Sequence, residues 1–310
     1  MNYSVGAVIV NYNNYWDTVN FVSNHLLCQQ GIDLKIVIVD NASTNNSIDI
    51  LKSIFQGTEN VQIIEAGENR GYACGNNIGI RHLIDDCGCG YILIANNDIE
   101  LDDVRLINKL VEKYNGLDKA AFAAPIMLEN NKISRNSAWK LPTVMSEVLS
   151  SSYCFSFLFH GYLSRFSYAF SKYKTEVVPV DCVAGSFFLG SSEVFEKLGS
   201  FDEGTFLYYE ENILGQKVKD VNLNSYIIKN LAYNHRGAKS INTRYCTSEK
   251  YDIRLQSKLC YWKKYRKKGF LLTAPLRILH CLNIVEIQIR GCLRKLPKIV
   301  SNKFFENKTV

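Results

Sequence analysis

Asp98 stands directly after a short apolar segment of the sequence. Residues 92–95 form a run typical of a strand buried on both faces, and Asn96, Asn97 and Asp98 follow it. In open α/β sheets, ligands bind in the crevice outside the carboxyl ends of the strands, so Asp98 lies where a metal ion or a phosphate-bearing ligand would be met. The alternative is that these polar residues only turn the chain and cap a helix beginning near Asp102.

A second acid, Asp40, ends the apolar segment 34–39 in the same manner. Its carboxylate could accept hydrogen bonds from the base or ribose of a nucleotide. The passage 69–77 is rich in Gly and Asn and leads into a predicted helix, and its glycines would let the backbone approach a ligand closely because they lack a Cβ. For the glycines spaced by four from Gly71 to Gly79, close packing of that helix against the sheet is the alternative.

Glu210 and Glu211 follow an aromatic run, residues 206–209, that would remove them from bulk water. Like charges side by side and partly desolvated tend to raise one pKa, which suits a general base. The alternative is a solvated first turn of a helix, where acids are favoured. His235 follows a predicted strand at 225–228 and is a candidate metal or phosphate ligand, although a lone histidine can equally be structural.

Alternating strands and helices must position these side chains. The predicted strands lie at 5–11, 34–39, 61–64, 91–95, 120–127, 177–189 and 225–228. The predicted helices lie at 16–28, at 48–55, from the passage 69–77 to residue 84, and at 192–198. This alternation predicts parallel βαβ units, and hence an α/β fold with a doubly wound, mostly parallel central sheet. The sequence contains neither a G-x-G-x-x-G after the first strand nor a phosphate-loop motif, which argues against dinucleotide oxidoreductases and phosphate-loop NTPases.

The composition indicates a folded protein with a basic tail. The chain has 310 residues, 47% of them hydrophobic, and its ten cysteines form no CxxC pair, so we expect a reduced cytosolic protein without structural zinc. No basic region precedes the first strand, and we expect neither a signal peptide nor a transmembrane segment. Residues 258–308 contain thirteen Lys and Arg against two Glu, although the net charge of the chain is only +6. Only the tail therefore suggests an anionic partner.

Two further segments lie outside the alternating pattern. Residues 129–176 form a predicted irregular insertion with an aromatic cluster, which could stack on a sugar, touch lipid or build a satellite core. In residues 278–296, apolar side chains recur at helical spacing among basic ones, which is typical of an interfacial amphipathic segment at an anionic membrane. The alternative is that this stripe packs on the catalytic domain. Nucleic-acid binding is disfavoured, because no recognition module accompanies the charge.

Taken in order, six segments of the sequence carry a resemblance to a known family. They are VGAVIVNYNN, IVIVDNAST, ENRGYACGNNIGI, LIANNDIEL, VAGSFFLGSSEVFEKLGSFDEGTFLYYEEN and NHRGAKS. The chain resembles the family-two inverting glycosyltransferases of the GT-A fold, and within them the bacterial rhamnosyltransferase-like branch. The resemblance covers residues 5 to about 240 apart from the insertion, and we expect a catalytic domain at 1–240 that includes the insertion 129–176. The charge and the apolar stripe of the tail predict a basic amphipathic helical extension at 241–310.

The resemblance also implies roles for individual residues. Glu211 is the implied catalytic base, with Glu210 beside it, and Asp98 and His235 are the implied metal ligands, with Asn96 as first member of a DxD-like motif. The acceptor side is implied at Gly185 and Ser186. The residues implied to bind the nucleotide sugar are Asn11, Asp40, Asn41, Asn69, Gly71, Asn76, Asn96 and Asn97. The implied cofactor is Mg²⁺ or Mn²⁺, ions that suit oxygen ligands and phosphate.

The sequence departs from the family pattern after the glutamate pair. Many relatives have Glu-Asp-x-Asp with a later Arg, whereas this chain has Glu210, Glu211, Asn212, Ile213 and Lys217. Glu211 keeps a carboxylate where the pattern has Asp, but its side chain is one methylene longer, so Glu210 stays an alternative base. Ile213 replaces the second acid of the pattern.

The resemblance implies an inverting transferase that moves a sugar from a nucleoside-diphosphate donor to a hydroxyl of a lipid-linked glycan. Rhamnose from dTDP-rhamnose is the first expectation, in O-antigen or capsule synthesis, with the enzyme cytoplasmic and peripheral on the inner face of the membrane. Two alternatives remain open at this point. One is a sugar-1-phosphate nucleotidyltransferase, although a basic Gly-rich loop after the first strand is lacking. The other is a catalytically silent scaffold.

Overall fold

The computed structural model describes residues 2–236, 247–269, 274–282 and 284–285. Within these ranges a ten-stranded sheet forms the centre, and helices pack on both of its faces. The strands are β1 (Tyr3–Asn11), β2 (Ile32–Asp40), β3 (Val61–Glu65), β4 (Tyr91–Ala95), β5 (Ile99–Glu100), β6 (Ala120–Glu129), β7 (Lys132–Ile133), β8 (Ala138–Trp139), β9 (Val177–Val180), β10 (Cys182–Val183), β11 (Phe187–Ser191) and β12 (Asn224–His235). The helices are α1 (Tyr15–Phe21), α2 (Ser47–Ile54), α3 (Tyr72–Asp85), α4 (Leu106–Asn115), α5 (Val144–Ser150), α6 (Tyr153–Leu158), α7 (His160–Leu163), α8 (Ser192–Leu198), α9 (Glu210–Asp220) and α10 (Thr247–Cys260).

One half of the sheet is parallel. β3, β2, β1 and β4 lie side by side in this order and run in the same direction. Their apolar residues are nearly continuous because both faces are covered, so Ile9 packs in one core cluster and Val8 in the other. β1 and β2 stay in register to their ends, where Asn11 lies opposite Asp40. The predicted α/β fold is confirmed, and this half contains its parallel βαβ units.

The other half of the sheet is mixed. β11 lies antiparallel between β4 and β6, whereas β12 runs parallel to β6 and antiparallel to β9 and β5. The segment 177–189, predicted as one strand, is divided into three, because β9 pairs with β12, β10 with β8, and β11 with β4 and β6. The sharp change of partner at residues 184–186 leaves a short loop facing the carboxyl end of β4.

The pairing of β12 with β5 determines the position of one pair of candidate residues. β12 continues to His235, well beyond the predicted strand at 225–228, and His235 lies opposite Ile99 of β5. The Arg236 amide donates to the Asp98 carbonyl at 3.0 Å, which fixes the preceding loop. The sequence predicted a helix that begins near Asp102. This prediction is wrong, because β5 intervenes and α4 begins only at Leu106. His235 and Asp98 are thereby brought side by side.

The insertion and the C-terminal segment pack together. The insertion forms short elements, β7 and β8 followed by α5 to α7, and is less irregular than predicted. A third apolar cluster joins the insertion to α9, to the π-helical turn Tyr261–Tyr265 that follows α10, and to Leu276. Its buried members are Leu141, Cys182, Ile213, Tyr261, Trp262 and Leu276. The turn that follows α10 therefore shares a core with the catalytic body.

The amphipathic stripe predicted at 278–296 is only partly described. Ile278, Leu282 and Val285 are exposed, whereas Leu276, just before them, is buried. Residues 286–296 lie outside the described residues. Among the helices that the structure describes, none has the length and apolar character needed to cross a membrane.

Candidate active site

A cavity of about 780 Å³ opens beside the ends of β1 and β4. Its wall contains eleven of the predicted site residues, namely Asn41, Asn69, Gly71, Asn96, Asn97, Asp98, Gly185, Ser186, Glu210, Glu211 and His235. Asn11, Asp40 and Asn76 lie outside this wall. Residues that are distant in sequence are thus gathered at the carboxyl end of the sheet, where open α/β folds bind ligands.

Asp98 and His235 form the candidate metal site. His235 Nε2 lies 3.5 Å from Asp98 Oδ1, and the carboxylate raises the pKa of the imidazole. Apart from this 3.5 Å approach, the buried Asp98 Oδ1 has no hydrogen-bond partner within the described residues, and the buried His235 Nδ1 has none. Buried polar atoms are normally satisfied, so such orphaned atoms point to a missing ligand. A carboxylate oxygen and an imidazole nitrogen fit Mg²⁺ or Mn²⁺ when substrate phosphate completes the shell.

The described part of the chain holds no group of three or more His, Cys, Asp or Glu side chains suited to a metal ion. Asp98 and His235 thus offer two donor side chains. This number is consistent with an ion held jointly by the protein and a diphosphate, as is usual for Mg²⁺.

Glu210 and Glu211 begin α9 and also line the cavity. Glu210 is only 4% exposed, and within the described structure its Oε1 has no hydrogen-bond partner. Burial raises the pKa of both carboxyls, and the charge of Glu211 raises that of Glu210 further. A Cβ added to Gly185 would lie 2.6 Å from Glu211 Oε1, so a larger residue there would displace this carboxylate. The predicted raised pKa of the pair agrees with this geometry.

A strained loop delivers the glutamate pair. Tyr208 and Tyr209 have φ values of 74° and 71°, in the left-handed region that non-glycine residues seldom adopt. The Tyr72 amide donates to the Phe206 carbonyl at 2.9 Å, which fastens the start of this loop to α3. Gly71 has φ 94°, and a Cβ there would lie 2.0 Å from the Phe206 oxygen. Gly71 is therefore required by both conformation and space.

Tyr72 is a site residue that the sequence did not single out. Its hydroxyl can donate to the Gly185 carbonyl at 2.9 Å or to Asn96 Oδ1 at 3.2 Å. Burial raises its pKa well above the ordinary value, and the neighbouring charge of Glu211 adds to the effect. Tyr72 thus stays protonated and connects Asn96, beside the predicted metal site, with Gly185 of the predicted acceptor side. Its place at the start of α3, inside the Gly- and Asn-rich passage, was the available signal.

The predicted nucleoside end is a network of buried polar side chains. Asp40 accepts hydrogen bonds from Asn11 Nδ2 at 2.7 Å and from the Ser43 hydroxyl at 2.7 Å. Asn41 Nδ2 lies 3.1 Å from both the Gly71 carbonyl and Asn69 Oδ1. Asn41 and Asn69 face the cavity, whereas Asp40 and Asn11 support the loop behind them.

The insertion and the C-terminal segment also supply cavity residues. None of these residues belongs to a motif that the sequence analysis assigned to the site. From the insertion come Trp139, Lys140, Ser146, Glu147 and Phe166, and from α10 comes Arg254. Arg254 is exposed, and its positive charge acts to lower the pKa of Glu211. A cation close to the glutamate pair favours its ionised form.

Residues 7–199 match the family described as Glycosyl transferase family 2, which is more than half of the chain. The chain belongs to glycosyl transferase family 2. The resemblance inferred from the sequence motifs is thereby confirmed.

Three curated relatives of this family-two chain are informative. A low-salt glycan biosynthesis hexosyltransferase from Haloferax volcanii is 28% identical over 222 residues, covering 71% of this chain and 63% of the relative. A dTDP-rhamnosyl transferase from Shigella flexneri is 30% identical over 135 residues, covering 43% and 41%. An N-acetylglucosaminyl-diphospho-decaprenol L-rhamnosyltransferase from Mycobacterium tuberculosis is 22% identical over 200 residues, covering 60% and 61%. The chain spans less than two thirds of the length of these relatives.

Solved glycosyltransferase structures share the fold of this family-two chain. A mannosyltransferase from Pyrobaculum calidifontis in complex with GDP-Man and Mn²⁺ superposes with a TM-score of 0.57 at 12% identity, covering 96% of this chain and 81% of that one. GalNAc-T7 with UDP, GalNAc and Mn²⁺ gives a TM-score of 0.57 at 15% identity, covering 86% and 49%. These likenesses confirm the predicted GT-A fold.

The departures from the family-two pattern have structural partners. Ile213 is 1% exposed and packs in the third cluster with Tyr261 and Trp262. Lys217 donates to the Ser200 carbonyl at 2.8 Å, and burial lowers the pKa of this lysine. Where an acid is common in relatives, an apolar residue here accommodates the C-terminal segment. The loss of that acid is therefore accounted for by packing.

Proposed function

We propose that this chain is an inverting glycosyltransferase that moves a sugar from a nucleoside diphosphate to a hydroxyl of a lipid-linked glycan in bacterial surface polysaccharide synthesis. The observation that carries the proposal is one cavity that is lined by two different pairs of polar side chains. Asp98 and His235, with their orphaned polar atoms, form one pair, and the buried Glu210 with the half-buried Glu211 forms the other. The first pair suits a diphosphate with its cation, and the second suits a general base.

In this mechanism Glu211 takes the proton from the acceptor hydroxyl. The acceptor oxygen then attacks the anomeric carbon on the face opposite the diphosphate, the bond from that carbon to the phosphate oxygen breaks, and the nucleoside diphosphate leaves. A single displacement inverts the configuration and needs no covalent intermediate on the protein. Asp98 and His235 would hold Mg²⁺ or Mn²⁺, whose chemistry is to neutralise the charge that develops on the leaving diphosphate.

The names of the relatives support the choice of substrates. Two of the three are described as rhamnosyl transferases, one of them using dTDP-rhamnose, which favours dTDP-rhamnose as the donor. One is named for an acceptor that carries decaprenol, which favours a lipid-linked acceptor. Such an acceptor would be met at the membrane, so we place the enzyme peripherally on its inner face, in O-antigen or capsule assembly. Membership of glycosyl transferase family 2 argues against the nucleotidyltransferase alternative. The scaffold alternative was suggested by Ile213, and the packing of Ile213 in the third cluster gives that residue a structural reason instead.

The test is release of nucleoside diphosphate from a panel of donors. The panel contains dTDP-rhamnose, UDP-galactose, UDP-glucose, UDP-N-acetylglucosamine and GDP-mannose, each with a lipid-linked acceptor extract, with and without Mg²⁺ or Mn²⁺. We expect metal-dependent release from dTDP-rhamnose that is lost in Asp98→Asn and in Glu211→Gln. Asp33→Asn is the matched control, because Asp33 is an exposed acid near the start of β2, far from the cavity wall.

Release from another donor alone would replace rhamnose but keep the transferase. No release from any donor, with folded protein and an acceptor extract that serves another transferase, would contradict the proposal.

A further inference from the structure

The insertion carries an apolar surface that the body does not cover. None of the residues of α6 (Tyr153–Leu158) is buried, although four of its six side chains are aromatic or aliphatic. Phe157 is 77% exposed and Leu158 is 72% exposed. Met145 of α5 is 57% exposed, and Phe155 and Phe159 are also exposed. Elsewhere in the described structure, exposed apolar side chains such as Ile54 and Ile133 stand singly in the sequence, and a second exposed group, Ile278, Leu282 and Val285, lies in the C-terminal segment. We call the five insertion residues the α6 patch.

The insertion that carries the α6 patch has an excess of positive charge. Its six basic residues are all exposed, and they are Lys132, Arg135, Lys140, Arg165, Lys172 and Lys174. Its three acids are Glu129, which is half-buried, Glu176, which pairs with Lys113 at 3.4 Å, and Glu147. Glu147 is buried and paired with Lys258 at 2.6 Å, so it gives no negative charge to this surface. Exposed aromatics beside basic side chains complement an anionic lipid surface, whereas two copies of this chain would bring like charges together.

The position of the α6 patch agrees with a membrane contact. The cavity wall includes Ser146 and Ser150 of α5 and Leu163 of α7, the helices that flank α6. We propose that the α6 patch docks on the anionic bilayer and thereby directs this side of the cavity toward the membrane. The proposal deepens the proposed function, on whose lipid-linked acceptor its use rests, but docking itself requires neither donor nor acceptor.

Vesicle binding tests the proposal without any sugar chemistry. The full chain is sedimented with vesicles of phosphatidylcholine alone or with added phosphatidylglycerol. We expect binding only with phosphatidylglycerol, and a Phe157→Ser/Leu158→Ser variant that binds about tenfold less tightly with an unchanged melting temperature. An Ile54→Ser/Ile133→Ser variant is the control, because it removes two exposed apolar side chains, 45% and 53% exposed, from other surfaces.

Three outcomes would overturn the docking proposal. They are no binding by the wild type, equal binding by the α6 variant, and a wild-type dimer in sedimentation velocity that only the α6 variant dissociates. The last would assign the patch to a second copy of the chain. A positive vesicle result with no donor turnover would leave the docking surface standing while the proposed function fails.

A second inference concerns Glu147, which is 3% exposed and has three partners. Lys258 Nζ lies 2.6 Å from its Oε1, while the Tyr209 hydroxyl donates to Oε2 at 2.6 Å and Trp262 Nε1 donates to Oε2 at 3.3 Å. These bonds join the insertion, α10 with the turn that follows it, and the residue immediately before Glu210.

Tyr209 is held in the left-handed conformation that aims α9 into the cavity. A strained residue of this kind persists only when its surroundings over-determine it, and the short bond to Glu147 is such a restraint. The geometry points to Glu147 as a positioning residue that acts through Tyr209 on Glu211.

The test separates positioning from simple stability. Tyr209→Phe removes only the hydroxyl, Glu147→Gln keeps the shape of the acceptor, and Tyr162→Phe is a control for an exposed tyrosine hydroxyl of the same insertion. We expect hydrogen exchange of residues 207–213 to be about tenfold faster in Tyr209→Phe and intermediate in Glu147→Gln, while the amides of β1 exchange as in the wild type. With dTDP-rhamnose we expect kcat to fall and the donor KM to stay.

Wild-type exchange at 207–213 in both variants would overturn the role, and so would acceleration spread evenly over the whole chain. Because exchange is measured without substrate, a failed donor assay would count against the proposed function and not against the role of Glu147.

Discussion

Glu210 and Glu211 are adjacent in the sequence but differ in their surroundings. Glu210 is almost fully buried, and its pKa is raised by burial and then by the charge of Glu211. The pKa of Glu211 is also raised by burial, but its backbone hydrogen bonds, including one to Gly185, and the charge of Arg254 counteract this. We therefore expect Glu210 to hold the proton of this coupled pair and Glu211 to act as the base, in agreement with the role that the family resemblance implies.

Glu210→Gln should make stability less dependent on pH. With its folded-state pKa raised, Glu210 keeps its proton in the folded chain while the unfolded chain releases it, so the free energy of unfolding falls as pH rises from about 4 through the folded-state pKa. Glutamine does not titrate, so the variant should gain on the wild type over this window, by about 1.4 kcal/mol for each unit of raised pKa. Urea unfolding at several pH values, without donor, measures this gain.

Glu59→Gln is the control for that experiment, because Glu59 is exposed. Parallel profiles for the wild type and Glu210→Gln would mean that Glu210 is ionised in the folded chain, and the assignment of proton holder and base would lose its support.

At the scale of residues, the chemical character of the site could be predicted from the sequence, whereas the contacts between its side chains could not. The aromatic run before Glu210 was sufficient to predict a desolvated pair. It could not distinguish the two carboxyls, because Gly185 and Arg254 lie about 25 residues before and 40 residues after them in the chain. Tyr72 and Glu147 were missed for the same reason, since both act through residues distant in sequence. Tyr72 lies within a family segment that did not show its partners, and Glu147 belongs to no motif.

At the scale of elements, a buried polar chain joins α1 to the ends of three strands. Asn97 Nδ2 donates to the Thr18 hydroxyl at 2.8 Å, and that hydroxyl donates to Asn11 Oδ1 at 2.8 Å. Asn11 in turn donates to Asp40. The loop that contains Asp98 and the predicted nucleoside end are thus connected through one side chain of α1.

Thr18→Val should weaken this connection. Valine keeps the shape of threonine but leaves Asn97 Nδ2 and Asn11 Oδ1 buried without a partner, which costs about 1 to 3 kcal/mol for each such group. We expect lower stability in urea and a higher KM for the donor. Thr44→Val is the control, because the Thr44 hydroxyl bonds Asn13 at an exposed position. Equal stability of Thr18→Val and Thr44→Val would contradict a structural role for the chain.

Gly79 decides how closely α3 approaches the sheet. A Cβ there would lie 2.5 Å from Val8 Cγ1, so the packing alternative considered for the glycines spaced by four applies at this position. Gly79→Ala should destabilise the protein by about 1 to 3 kcal/mol through overpacking, although alanine favours helix by about 1 kcal/mol. A Val8→Ala background should reverse much of this loss. Thermal unfolding of the double-mutant cycle measures the coupling, and strictly additive effects would rule out the clash.

The parallel half of the sheet could be predicted because its strands are consecutive apolar runs. The mixed half could not be predicted in detail, because its boundaries depend on partners. β12 extends to His235 only because β5 and β6 supply pairing distant in sequence, and residues 177–189 divide because three different strands receive them. Asp98 and His235 were each identified as candidates, but their proximity is a product of this half of the sheet.

At the scale of the whole molecule, the C-terminal segment is part of the catalytic body up to at least Trp262. The sequence predicted an extension beginning at 241, on the evidence of its basic charge and of the apolar stripe at 278–296. The charged side chains of this segment indicate which positions face solvent, but they do not show which positions are buried. Tyr261 and Trp262 are buried and pack with Ile213 of α9. An apolar residue at position 213 and two buried aromatics some fifty residues later form one contact, which a single sequence does not reveal.

Trp262→Ala should therefore destabilise the entire protein. Trp262 is fully buried, and its removal should cost about 3 to 5 kcal/mol and shift one cooperative unfolding transition. Trp16→Ala is the control, because Trp16 is 72% exposed and should change stability by no more than about 0.5 kcal/mol. Loss of Trp262 also releases a donor to Glu147, so donor turnover should fall even where the protein is folded. A separate low-temperature transition, with turnover and the main transition unchanged, would instead show that the segment is an independent extension, as its charge and its apolar stripe had suggested.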